Sequence, residues 1–226
     1  MDRKRLTQRF PFLLPMRRAQ RKMCFYAGMR FDGCRYAQTI GETFSFWWLV
    51  RHADKDTPYK DGLTVTNGKL TTMSGGGMCQ MSNLLFWMFL HTPLTIIQRR
   101  GHEVKEFPEP NSDEIKGVDA TISEGWIDLK VRNDTDCTYQ IWVTLDDEKI
   151  IGQVFADKEP QALYKITNGS IQYVRESGGI YEYAQVKRMQ VALGTGEIID
   201  CKLLYTNKCK ICYPLPESVD IQEENQ

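Results

Sequence analysis

Neither sign of charge prevails in this chain: 29 Lys and Arg stand against 29 Asp and Glu over 226 residues. No global field therefore draws it towards nucleic acid. Long hydrophobic runs are missing as well. The apolar stretch Phe10-Pro11-Phe12-Leu13-Leu14-Pro15-Met16 is too short and too broken by proline for a signal sequence or a membrane span, so the chain is expected in the cytoplasm. Histidine is scarce, with three residues, and the seven cysteines are odd in number and irregular in spacing. That usage fits thiols in a reducing compartment better than a secreted disulfide framework. Cys209-Lys210-Ile211-Cys212 lacks the second pair or neighbouring histidine of a zinc site, and Tyr213-Pro214-Leu215-Pro216 blocks the helix that a redox C-x-x-C would feed. No metal and no other cofactor is expected. Internal repeats and coiled-coil heptads are lacking too, and the three glycines at 75–77 lack the Lys-Ser/Thr of a P-loop.

What is present is an ordinary globular composition, 42% hydrophobic and 26% charged, long enough for one large domain or one domain with an appendage. Its most informative stretch is Gly75-Gly76-Gly77-Met78-Cys79-Gln80-Met81-Ser82, running into Asn83-Leu84-Leu85-Phe86-Trp87-Met88-Phe89-Leu90. The glycines free the backbone for a tight turn, and the apolar run predicts a buried helix, which puts Cys79 at or just before its N-terminus. The positive end of a helix favours thiolate, the first requirement of a cysteine nucleophile. Downstream come His102 and Asp119. The order Cys, His, Asp suits a nucleophile, a base and a group that orients the base, with Gln80 and Ser82 as oxyanion support. Arg99 and Arg100 suit a substrate carboxylate, and Gly75, Gly76 and Gly77 a close substrate approach. Plainer readings stay open: Cys79 as core, His102 as a loop residue, Asp119 as a turn cap. His91 is expected to end the helix and His52 to lie on the surface.

Past the motif the pattern turns to β. Ile127-Asp128-Leu129-Lys130-Val131-Arg132 alternates, Asn133-Asp134-Thr135-Asp136 reads as a turn, and residues 139–145 as the partner strand. Asp146-Asp147-Glu148 leads into a strand at 150–155, with further β segments near 162–166, 170–174, 185–191 and 198–205. The expected class is α+β, a glycine-rich turn and apolar helix on a largely antiparallel sheet, with a β-rich C-terminal part. The divisions expected are a basic segment at 1–40, a core at 41–145, a β-rich part at 146–216 and an acidic disordered tail at 217–226. The basic segment carries Arg3, Lys4, Arg5, Arg17, Arg18, Arg21 and Lys22; it reads as a solvated or packed helix near 17–26, with peripheral contact to anionic membrane as the functional alternative.

Gly41-Glu42-Thr43-Phe44-Ser45-Phe46, the triple-glycine Cys-Gln-x-Ser, Arg99 to His102 as Arg-x-x-His, and Gly117-x-Asp119-Ala120-Thr121 together resemble the signature of the VanW family. The resemblance covers essentially the whole chain. It implies a context, glycopeptide resistance at the cell wall, and brings no settled reaction with it. One departure stands out. Family members carry a further helix and strand and a Pro-Gly-Glu before Phe-Ser-Phe, whereas here Thr39-Ile40-Gly41 runs directly into Glu42-Thr43-Phe44, as though a segment were missing. Three roles follow for testing: a Cys79-dependent acyl-transfer or amide-cleaving enzyme acting on a peptidoglycan-precursor peptide, a non-catalytic module that binds such a precursor or a partner resistance protein, and a structural or regulatory accessory without a small-molecule site.

Overall fold

The computed structural model describes residues 8–10, 34–50, 61–66, 69–74, 76–108, 115–145 and 150–224. The described chain is β-rich, and it divides into two compact units that are each discontinuous in sequence. One takes residues 1–100 and 120–160; the other takes 101–119 and 161–226.

In the first unit, β1 (Gln8–Phe10), β10 (Ile150–Ala156), β9 (Tyr139–Leu145) and β2 (Cys34–Gln38) lie side by side in that order, every pair antiparallel. A second sheet places β8 (Lys130–Arg132) between β3 (Thr43–Ser45) and β6 (Thr95–Gln98), and β4 (Asp61–Thr66) pairs with β5 (Lys69–Ser74) as a hairpin. The strict alternation of β10, buried at Ile150, Gly152, Val154 and Ala156, is the period-2 pattern of a strand with one face on the core. The short helix α1 (Phe46–Val50) starts where Ser45 Oγ accepts the Trp48 N–H at 3.1 Å and Asp128 accepts both the Ser45 hydroxyl (2.6 Å) and the Trp47 N–H (3.1 Å). These are the side-chain oxygens an N-terminus needs for its unpaired donors.

The main helix, α2 (Met78–Leu90), packs on β10 and buries Leu84, Leu85, Phe86, Met88, Phe89 and Leu90. Phe89 meets Phe44 with ring centroids 4.9 Å apart, and Phe44 meets Tyr36 edge-on at 5.6 Å. Gly152 lets the helix side chains come close: a Cβ there would stand 2.1 Å from Met88 Sδ, so that side chain would have to shift.

Among the described residues, the second unit holds one five-stranded sheet. The long strands β11 (Ala162–Glu176), β12 (Gly179–Ala192) and β13 (Ile198–Ile211) form an antiparallel meander, flanked by β14 (Ile221–Glu223) parallel to β11 and β7 (Val104–Lys105) parallel to β13.

Several expectations need correcting. The strand at 139–145 does not partner the alternating segment before it: β8 pairs with β3 and β6, and β9 with β2 and β10. Only residues 130–132 of that segment are strand, because Ile127 closes a tight turn with Ser123. The separate segments near 162–166 and 170–174 are one strand with a register shift between Asn168 and Ile171. The tail is not wholly disordered either, since Ile221–Glu223 joins the sheet and Glu223 pairs with Arg175 at 3.2 Å. The basic N-terminal helix and His52 lie outside the described residues.

Candidate functional site

Cys79 is the second residue of α2, as the glycine-to-helix pattern predicts. Gly77 opens the helix at φ 84, a left-handed conformation that favours glycine, and the Gln80 N–H returns to Gly77 O at 2.9 Å. The half-buried Cys79 Sγ lies 3.6 Å from Thr121 Oγ1, and its S–H points to Ile122 O at 3.9 Å. The same stretch is fastened to the helix one turn on. Ser82 Oγ donates to Ala120 O at 2.5 Å and to Cys79 O at 3.0 Å, and Asn83 Oδ1 accepts the Ala120 N–H at 2.6 Å. A hydroxyl has one proton, and here two carbonyls share it, so Ser82 serves as a strut and offers no donor to an oxyanion. Gln80 Oε1 is buried without a hydrogen-bond partner. Asn83 and Thr121 were not singled out from sequence, yet a polar Asn directly after the Cys-Gln-x-Ser motif, ahead of an apolar run, was a readable signal for the first. Gly76 is buried, with its N–H on Met73 O at 3.0 Å, and Gly75 lies outside the described residues.

His102 and Asp119 belong to the second unit, where the structure brings them together. Asp119 Oδ2 accepts the His102 backbone N–H at 2.7 Å and stands 2.6 Å from the ring Nδ1. An ionised carboxylate only accepts, so Nδ1 carries the ring proton and, in the neutral imidazole, the lone pair is at Nε2. The His102 side chain is 48% exposed and Asp119 25%. An imidazole whose tautomer is set by a carboxylate is the kind of group that can accept a proton.

The arginines differ from each other. Arg99 lies over the Phe86 ring at 5.5 Å, while Arg100 is exposed and its carbonyl accepts the Thr121 N–H at 2.8 Å. His91 ends α2 as expected, its Nδ1 2.9 Å from Trp87 O; burial pushes its pKa down, against the hydrogen bond to Trp87. Cys209 is buried in β13 and Cys212 is exposed just beyond it, both as thiols, and among the described residues no group of three His, Cys, Asp or Glu could hold a metal ion. No helix among those residues is long and apolar enough to cross a membrane.

A family model for VanW-like proteins matches residues 35–155. The vancomycin B-type resistance protein VanW of Enterococcus faecalis is 77% identical over 275 aligned positions that take in 100% of both chains. Since this chain has 226 residues, those positions include gaps amounting to the difference. The uncharacterized protein YoaR of Bacillus subtilis is 35% identical over 94 residues, 41% of this chain and 29% of that protein. No solved structure matches.

Proposed function

This chain belongs to the VanW-like protein family, and from that premise we propose that it is an accessory factor of glycopeptide resistance acting on or near peptidoglycan precursors. The observation that carries the reading is the 77% identity, over the full length of both chains, to a protein named for vancomycin B-type resistance. The local chemistry supports it from two sides. A thiol at the start of a helix that follows a glycine turn suits a nucleophile, and an imidazole hydrogen-bonded to Asp119 suits a base, which is consistent with chemistry on a precursor. The two belong to different compact units, and each takes its own test.

A non-catalytic binding role has one observation in its favour: Ser82 and Asn83 are both engaged with Ala120, so much of the Cys-Gln-x-Ser-Asn stretch builds structure. Cys79→Ala separates the two, because a binding module tolerates loss of the thiol and an enzyme does not.

The test is a gene replacement in a cell that carries a vancomycin B-type resistance cluster. Cells in which this chain replaces the 77% identical relative are expected to keep the vancomycin susceptibility of the parent and to differ from cells with the position left empty. Susceptibility equal to that of the empty position, where the relative itself makes a difference, overturns the reading.

A further inference from the structure

Glu182 lies on β12, the middle strand of the five-stranded sheet, and is fully buried. Its Oε1 accepts from Lys105 Nζ at 2.7 Å; its Oε2 accepts from Lys116 Nζ at 3.1 Å and from the Tyr173 hydroxyl at 2.9 Å. Lys116 Nζ donates in turn to Tyr173 Oη at 2.7 Å. A buried carboxylate is costly unless cations and donors surround it, and this one has two of the first and one of the second. Burial alone would push its pKa up; the hydrogen bond and charge of Lys105, the charge of Lys116 and the Tyr173 hydroxyl outweigh burial and hold it below the ordinary value.

The two lysines sit close in sequence to the candidate base and its partner. Lys105 comes three residues after His102, and Lys116 three residues before Asp119. Further bonds fix each segment to the same sheet. The Lys210 N–H reaches Glu103 O at 2.8 Å and the Cys212 N–H reaches Lys105 O at 2.9 Å, beside the β7–β13 pairing. On the other segment, Asn168 brackets Lys116 by accepting its N–H (2.8 Å) and donating to its carbonyl (2.9 Å). Gly117 follows at φ 76, so close to the sheet that a Cβ would stand 2.8 Å from Asn207 Cβ, and its carbonyl accepts the Tyr205 hydroxyl at 3.2 Å.

We infer that Glu182 is the positioning residue of the His102–Asp119 pair: one buried carboxylate, through Lys105 and Lys116, holds both segments at the separation at which the Asp119 oxygen meets Nδ1. The inference rests on the reading of that pair as working groups. Glu182 itself touches neither of them in this arrangement of bonds. Its role is to keep a hydrogen bond formed between exposed groups, which a drift of a few tenths of an ångström in either segment would weaken.

The test reads the ring. The 15N shifts of the His102 Nδ1 and Nε2, taken from long-range proton–nitrogen correlations on the full chain at a pH where the ring is neutral, report which nitrogen holds the proton. His102→Gln assigns the signals, and Asp119→Ala sets the value for an unoriented ring. Glu182→Gln is expected to move the shifts most of the way from the native to the Asp119→Ala values. A Glu182→Gln protein that melts cooperatively with native ring shifts, while Asp119→Ala moves them, overturns the inference alone. Native shifts in Asp119→Ala overturn the reading of the pair instead. Should Glu182→Gln fail to fold, Lys116→Met removes one arm and keeps the Lys105 bond. It is expected to move the shifts in the same direction, and unchanged shifts there overturn the inference.

Discussion

Cys79 is less exposed than Cys201 and Cys212, so access alone would make it the slower thiol. Its place in the first turn of α2 works the other way, because the unpaired N–H groups and dipole of a helix start favour thiolate by ~0.5–1 kcal/mol, about two- to fivefold in reactive fraction. Cys137 is held back, its pKa raised by burial and by the hydrogen bond and charge of Asp136. Limited iodoacetamide labelling at neutral pH, mapped by mass spectrometry, should therefore find Cys79 modified ahead of Cys201, Cys209 and Cys212. Labelling no faster than exposed Cys212 removes the case for a nucleophile. At this scale the sequence carried a good deal. The glycine run and the thiol at the helix start were readable, because each depends on residue type within a short stretch; His102 and Asp119 were both named, but that the two meet across 17 positions was not readable from their order alone. Glu182 was not readable: its lysine partners lie 77 and 66 positions away, and a glutamate in an alternating strand looks like a solvent-facing residue until the sheet is assembled.

Elements were legible where one strand or helix settles its own pattern. The apolar run after Cys79 became α2, and Tyr139–Leu145 became β9 with the predicted bounds. Partners were harder. Adjacent strands were expected to pair, yet β8 left its neighbour β9 for β3 and β6, since Phe44 and Val131, both buried and opposite each other, join the core beside α2. The β4–β5 hairpin went unread, though Asn67-Gly68 between Thr66 and Lys69 is the two-residue signal for one. The tie between α2 and residues 120–122 also depends on contacts that no local pattern reveals, and it can be weighed. Ser82→Ala leaves the Ala120 and Cys79 carbonyls without their hydroxyl donor in a buried setting, at a cost of about 1–3 kcal/mol. Urea unfolding should show a lower midpoint with an unchanged slope. An unchanged midpoint would mean that the hydroxyl contributes nothing net to holding the helix.

As a whole molecule, the chain aligns with its 77% identical relative over 275 positions, more than its own 226 residues, so the relative carries sequence that this chain lacks, and the motif reading sets the join ahead of Glu42. The backbone there is closed by a well-bonded turn. Buried Gln38 donates to Glu42 O at 2.9 Å and Val131 O at 2.8 Å, Asn133 exchanges backbone bonds with Gly41 and Glu42, and Gly41 takes φ 79. The apolar surface nearby is less complete. Tyr36, Phe46, Leu49, Val50 and Leu85 line a pocket with no polar wall, and Ile40, Trp48 and Leu49 are exposed. Restoring the relative's extra segment should cover apolar surface and raise Tm, by about 2–4 °C for each kcal/mol gained. Equal melting points and equal solubility of the two chains would make the segment a dispensable excursion. The account's central claim, action on or near peptidoglycan precursors, is tested most directly by the cytoplasmic precursor pool. That pool is measured by mass spectrometry in cells whose vancomycin B-type cluster holds this chain, its Cys79→Ala or His102→Gln variant, or nothing at that position. The account predicts a pool with the intact chain that differs from the vacant position, and variants whose pools move towards the vacant one. Identical pools in all four strains would contradict it.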